Sequence, residues 1–220
     1  MDWIPTLQVA FAAGLATTFD DNIYLTGFFS EVNRTFRPKH VAVGELVGFS
    51  VLLAISLLGF AVGLVVSSEW IGLLGVLPIL IGFNNLREHF NSSDEAEYDK
   101  KQNKLKYAKA RGFESRRLTL WQILRDRQTY DVSAVTISNG GNNLGIYIPL
   151  FASLSFSKIL LTIPVLYGFV ITWLLLSFHL TRAPGIAFVL SRYGRLFFPF
   201  VLMWLGFRIL NDSESYRLFF

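Results

Sequence analysis

Six apolar runs, at about 7–29, 41–66, 70–86, 132–154, 159–180 and 196–210, account for most of this 220-residue chain. A helix needs roughly 20 residues to cross the hydrocarbon of a bilayer. Most of the runs reach that length, and the third and sixth are short. The expectation is an all-α membrane protein with six transmembrane helices and little chain left for anything else. Composition agrees. The chain is 52% hydrophobic and 16% charged, where a soluble domain has about 45–50% and about 25%. The first run does not read as a signal peptide, which begins basic: Asp2 precedes it, and no Lys or Arg occurs before Arg34. The chain has no cysteine, which excludes disulfides and thiolate metal sites.

The placement of charge gives an orientation. Seventeen of the 20 Lys and Arg fall in the loops after the first, third and fifth runs. Basic loops stay cytoplasmic, so both termini are expected outside, in a multi-pass protein of the plasma (inner) membrane. The net charge of +4 sits in these flanking loops and implies no nucleic-acid partner. The longest loop, 87–128, begins acidic and turns basic. Its end, R-R-L-T-L-W-Q-I-L-R-D-R, puts Leu120, Ile123 and Leu124 on one helical face, the pattern of an interfacial amphipathic helix over 116–127.

Three runs lie on each side of this loop, and the two sets resemble each other. With a shift of 122 residues, D-D-N-I-Y-L-T-G-F-F-S (20–30) lies over N-N-L-G-I-Y-I-P-L-F-A (142–152). The third and sixth runs share an early Pro and a late Gly-Phe. Three spans is an odd number, so the second half enters from the other face: two inverted three-helix repeats, the build of many secondary transporters. The domains are then a first repeat (1–86), a cytoplasmic basic loop with an amphipathic helix (87–128) and a second repeat (129–220).

The matching runs are also the interrupted ones. T-T-F-D-D-N-I-Y-L-T-G-F-F (17–29) carries Asp20, Asp21 and Asn22, which compete for their own backbone. S-N-G-G-N-N-L-G (138–145) carries Gly140 and Gly141, which weaken a helix, with Asn139, Asn142 and Asn143. Interrupted helices in matching positions point to a binding site at the membrane midplane. Asp20, Asp21 and Glu45 are carboxylates inside spans, where they are costly and functional by default. Arg208 is the one basic candidate to pair with them. Gly44 and Gly48 flank Glu45 and permit close helix approach. Thr17, Asn22 and Tyr24 support the first break. This donor set is all oxygen and suits a hard divalent cation. That cation is read as cargo rather than cofactor, with a coupling proton or monovalent ion open. His40, His89 and His179 lie at span ends and are expected at the surface or interface. Gly59 and Gly63 form a G-x-x-x-G; packing inside the bundle is favoured, and a homodimer is left open.

At A-T-T-F-D-D-N-I (16–23), V-G-E-L-V-G-F (43–49), L-L-G-V-L-P-I-L-I-G (73–82) and S-N-G-G-N-N-L-G-I-Y-I-P-L-F-A (138–152), the chain resembles the cadmium resistance transporter family of the lysine exporter superfamily. The resemblance covers nearly all of the chain except the middle loop. It implies six spans in two inverted halves and export of a divalent cation such as cadmium or manganese. Two positions depart: Asn142 stands where members commonly have Asp, and Asn139 where some have Cys.

The expected function is therefore divalent cation efflux, with Asp20, Asp21, Asn142, Asn143, Asn139 and Glu45 near the cation. The alternative is export of a small organic solute such as a cationic amino acid, with Tyr24 and Tyr147 supplying an aromatic pocket. An intramembrane aspartyl hydrolase would need a second carboxylate where the chain has Asn142 and Asn143. No H-E-x-x-H or Ser-His pair at matching depth occurs, so the chain is not read as an enzyme.

Overall fold

The computed structural model describes residues 3–19, 21–33, 36–91, 119–181 and 184–218, and these form helices joined by short turns, with no strand among them. The first apolar run is two helices, α1 (Trp3–Thr18) and α2 (Asp21–Ser30). The second is α3 (Pro38–Ser56) continued by α4 (Leu58–Gly63). A short α5 (Ser68–Gly72) and a 3-10 turn lead into α6 (Val76–Asn91). After the middle loop come α7 (Leu120–Leu124), then α8 (Arg127–Asn139) and α9 (Gly141–Ser153), the last two forming the fourth run. The fifth is α10 (Phe156–Leu180) and the sixth α11 (Pro184–Asp212).

Three of these stretches, Pro38–Gly63, Ser68–Arg87 and Phe156–Leu180, are long and apolar enough to cross a membrane by length and composition. The first and fourth runs are not continuous helices. Each breaks where the sequence placed its helix-weakening residues, leaving pieces of 16 and 10 residues and of 13 and 13. At the first break, the Thr17 hydroxyl donates to the Ala13 carbonyl at 2.7 Å and the Thr18 hydroxyl to that of Gly14 at 2.6 Å. These bonds compete with regular continuation of the helix.

The bundle carries its apolar side chains outward as well as inward. Leu64, Val65, Leu175 and Phe207 are exposed, and only about a third of each membrane-length window is buried. Thr17, Asp21, Asn22, Glu45, Thr136, Asn143 and Ser177 are buried. An apolar exterior around polar interior groups is the arrangement lipid requires.

Helix partners follow a simple scheme. The broken pair α1–α2 lies along α10, the broken pair α8–α9 lies along α3–α4, and α6 lies along α11. Glycines set the second contact. A Cβ added to Gly44 would stand 2.6 Å from Cβ of Val132, and one added to Gly48 2.6 Å from Cβ of Thr136. Gly59 and Gly63 meet the backbone carbonyls of Ile148 and Ala152. Both G-x-x-x-G pairs therefore serve packing within the bundle.

The sequence placed an amphipathic helix over 116–127. Residues 116–118 lie outside the described residues, as do 92–115 of the middle loop. The described part of that stretch is the five-residue α7, opened by Thr119, whose backbone N–H donates to Gln122 Oε1 at 2.9 Å. Ile123 is buried, while Trp121 and Leu124 are exposed. Asp126 then caps α8 through the backbone N–H of Gln128 at 2.9 Å.

Candidate functional site

Asp20, named from the sequence, lies outside the described residues. Asp21 opens α2 and is 5% exposed. Its carboxylate is within electrostatic range of both Tyr24, one turn along α2, and Tyr147, on α9. Thr17, in the last turn of α1, shares a short hydrogen bond with the Tyr147 hydroxyl. Tyr147 is fully buried and held by the rings of Phe49 and Phe151. The two broken helices thus touch through a pair of hydroxyls beside the carboxylate that opens α2.

The second break distributes its amides. Asn143 is buried, one helical turn before Tyr147 and on the same face of α9. Its backbone N–H donates to the Gly140 carbonyl at 3.0 Å. Asn139 is half-buried and Asn142 exposed. Gly140 packs against Leu52 of α3, whereas a side chain on Gly141 would meet nothing within 4 Å. Gly141 therefore borders open space at the break.

Glu45 occupies a separate pocket of polarity. It is 0% exposed, and its Oε2 accepts from Tyr24 at 2.9 Å and from Thr136 of α8 at 2.6 Å. Its Oε1 has no hydrogen-bond partner among the described residues. Ser133, one turn before Thr136, donates to the Gly44 carbonyl at 2.8 Å. Glu45 thus joins α2, α3 and α8, and Tyr24 links it to the Asp21 end of the site. Asn22 faces elsewhere: its Oδ1 accepts from Ser177 of α10 at 2.7 Å and from Thr26 at 3.2 Å, fastening α2 to α10.

Arg208, the one basic candidate for an ion pair inside the bundle, pairs with Asp212 one turn along α11, at 3.2 Å. One sequence expectation changes. His40 is not at the surface but fully buried. Its Nδ1 accepts from the Arg37 backbone N–H at 3.0 Å, its ring stacks on Phe36, and Nε2 stands 3.9 Å from Asp126. Proximity to a span end said nothing about the chain that folds over it. His179 is exposed as expected, and His89 lies near the end of α6. Thr136 and Tyr147, the hydroxyl partners of Glu45 and Thr17, were not singled out as partners. The sequence names Tyr147 only for the aromatic pocket of the organic-solute alternative, and nothing in it marks Thr136.

No group of three His, Cys, Asp or Glu side chains suited to holding a metal occurs among the described residues. The described oxygens are one carboxylate at each of two neighbouring loci, hydroxyls between them and amides at the second break.

An apolar exterior, membrane-length helices and two helices broken at polar residues define a multi-pass helical membrane protein. The chain belongs to the cadmium resistance transporter family, whose model matches residues 14–220. The match takes in both breaks, the Glu45 segment and the end of α1. The family is one of transporters, not of enzymes. No curated protein and no solved structure matches the chain.

Proposed function

We infer that the chain is a secondary transporter that exports a divalent metal cation, cadmium, manganese or a similar ion, from the cytoplasm. The observation that carries this reading is the meeting of the two helix breaks: Thr17 touches Tyr147 next to the buried Asp21, inside a chain of the cadmium resistance transporter family. Asp20, Asp21, Asn142 and Asn143 would bind the ion, with Asn139 beside them and Glu45 supplying a second negative charge. Family membership points to a metal of the cadmium kind, and the all-oxygen donor set favours the harder candidates such as manganese. Exchange of a helix pair between the two halves supports two inverted repeats of three spans. Swapping the halves turns the α1–α2/α10 contact into the α8–α9/α3–α4 contact and maps α6/α11 onto itself. With the basic loops cytoplasmic, both termini would lie outside. A coupling proton or monovalent ion would offset the charge left when the cation departs. The organic-solute reading is the weaker one, because both tyrosine hydroxyls that would line its pocket are already engaged, with Glu45 and Thr17.

The test is flux into proteoliposomes of Cd²⁺, Mn²⁺, Zn²⁺ and Ca²⁺. Asp21→Asn is expected to abolish movement of whichever metal is carried. Asn142→Asp, which adds a carboxylate at the second break, should change rate or metal preference. If none of the four metals moves or binds, the export reading fails.

A further inference from the structure

A cavity of about 330 Å³ lies at the end of the bundle where α1 begins and α9 and α11 end. Val9 of α1, Leu150 and Ser153 of α9, Lys158 of α10, and Arg208 and Asp212 of α11 line it. Below it the same helix faces are closed. On α1 the stripe runs Val9, Ala13, Thr17, each step about 6 Å along the helix. On α9 it runs from Leu150 back to Tyr147. Ala13, Leu150, Tyr147 and Leu205 are all at most 1% exposed and belong to one apolar cluster. The hydroxyl contact between Thr17 and Tyr147 ends this plug, and Asp21 lies beyond it.

We propose that this cavity is the outer vestibule of the translocation path and that the Thr17–Tyr147 contact is the gate between it and Asp21. The proposal rests on the export reading for its direction. The vestibule's charge fits an exit. Arg208 is paired with Asp212, which leaves Lys158 as the charge without an ion pair among the described lining residues, and a positive wall does not retain a cation. The α1 side of the plug is built from small residues, Ala10, Ala13 and Thr17. The α9 side contributes the large rings Tyr147 and Phe151. Parting α1 from α9 by the width of a ring would join cavity and carboxylate. Such a movement breaks the Thr17–Tyr147 hydrogen bond, which fastens the two helices at this level.

The chain has no cysteine, so single cysteines report access without background. Ser153→Cys would report the vestibule. Ala13→Cys would report the plug, with Ala10→Cys, one turn nearer the vestibule, as a second small-for-small reporter. A membrane-impermeant methanethiosulfonate reagent is applied to right-side-out and inside-out vesicles. Ser153→Cys should be labelled from the outside and Ala13→Cys protected. Tyr147→Phe or Thr17→Val should raise labelling at Ala13→Cys by roughly three- to tenfold, the population shift that loss of one hydrogen bond supplies. Tyr167→Phe, which removes the 2.7 Å hydroxyl contact with Ser50 but keeps the ring that packs on Phe49 beside Tyr147, should leave labelling unchanged. Labelling of Ser153→Cys from the cytoplasmic side alone would overturn the proposal. So would plug reporters that are open in the parent, or that ignore both gate substitutions. The assay needs no metal, so its result is independent of whether the flux experiment succeeds.

Discussion

A buried carboxylate in an apolar bundle must find donors or a counter-charge. At Glu45 two hydroxyls meet a single oxygen, and no ion pair to it occurs among the described residues. Removing one donor leaves the other; removing both leaves the carboxylate bare. Tyr24→Phe and Thr136→Val are each expected to destabilise the protein by about 1–3 kcal/mol, read as thermal unfolding in detergent. The double variant should lose more than the sum of the two, by at least ~0.5 kcal/mol, the signature of a shared partner. Strict additivity would mean that the two hydroxyls act independently and that Oε2 is not their common acceptor. The acidic members of this site were legible because a carboxylate inside an apolar run has no ordinary reason to be there. Their hydroxyl partners were not. A threonine in an apolar run, such as Thr136, satisfies itself on its own helix with equal ease, here through the Val132 carbonyl at 3.1 Å. Only the packing of α8 on α3 decides that it also reaches Glu45, 91 positions away in sequence.

Helix breaks were readable from their residues, and helix partners only in part. Asp-Asp-Asn and Gly-Gly announced both interruptions, since these residues weaken helices wherever they stand. The G-x-x-x-G spacing announced a close contact but not with which helix, because a groove of glycines accepts any smooth surface. The structure assigns the 44/48 pair to α8 and the 59/63 pair to α9, so that one continuous span tracks the whole of the broken one. The glycines of the two classes should then respond oppositely to the same change. Gly48→Ala would drive its Cβ against Thr136 and is expected to cost about 1–3 kcal/mol of stability. Gly141→Ala meets nothing and should be neutral or stabilising by up to about 1 kcal/mol, the gain in helix propensity. Unfolding midpoints of the two variants, measured side by side, decide it; a destabilised Gly141→Ala would mean that the open space at the second break is filled in the working protein.

Over the whole molecule, length and composition alone find three spans among the described residues, whereas the apolar runs suggested six. The difference falls partly on the broken helices. A span cut into pieces of 13 and 13 residues is too short piecewise to be recognised, since each piece covers only about 20 Å at 1.5 Å per residue. The break also holds the very polar residues that lower its hydropathy. Two arrangements remain distinct for such a segment: the two pieces stack end to end and cross, or they fold back as a re-entrant hairpin. The partner helices favour crossing, because α1 and α2 both lie along the single continuous α10, and α8 and α9 both lie along α3–α4. A reporter active only outside the cytoplasm separates the cases. Fused at either terminus, or inserted at the turn near Leu154, it should be active. Inserted at the turn near Asn33, or within 92–118, it should be silent. Activity at both the amino terminus and the Asn33 turn would make α1–α2 a hairpin and remove the first crossing span. The inverted repeat would fall with it, since the second half could no longer enter from the opposite face.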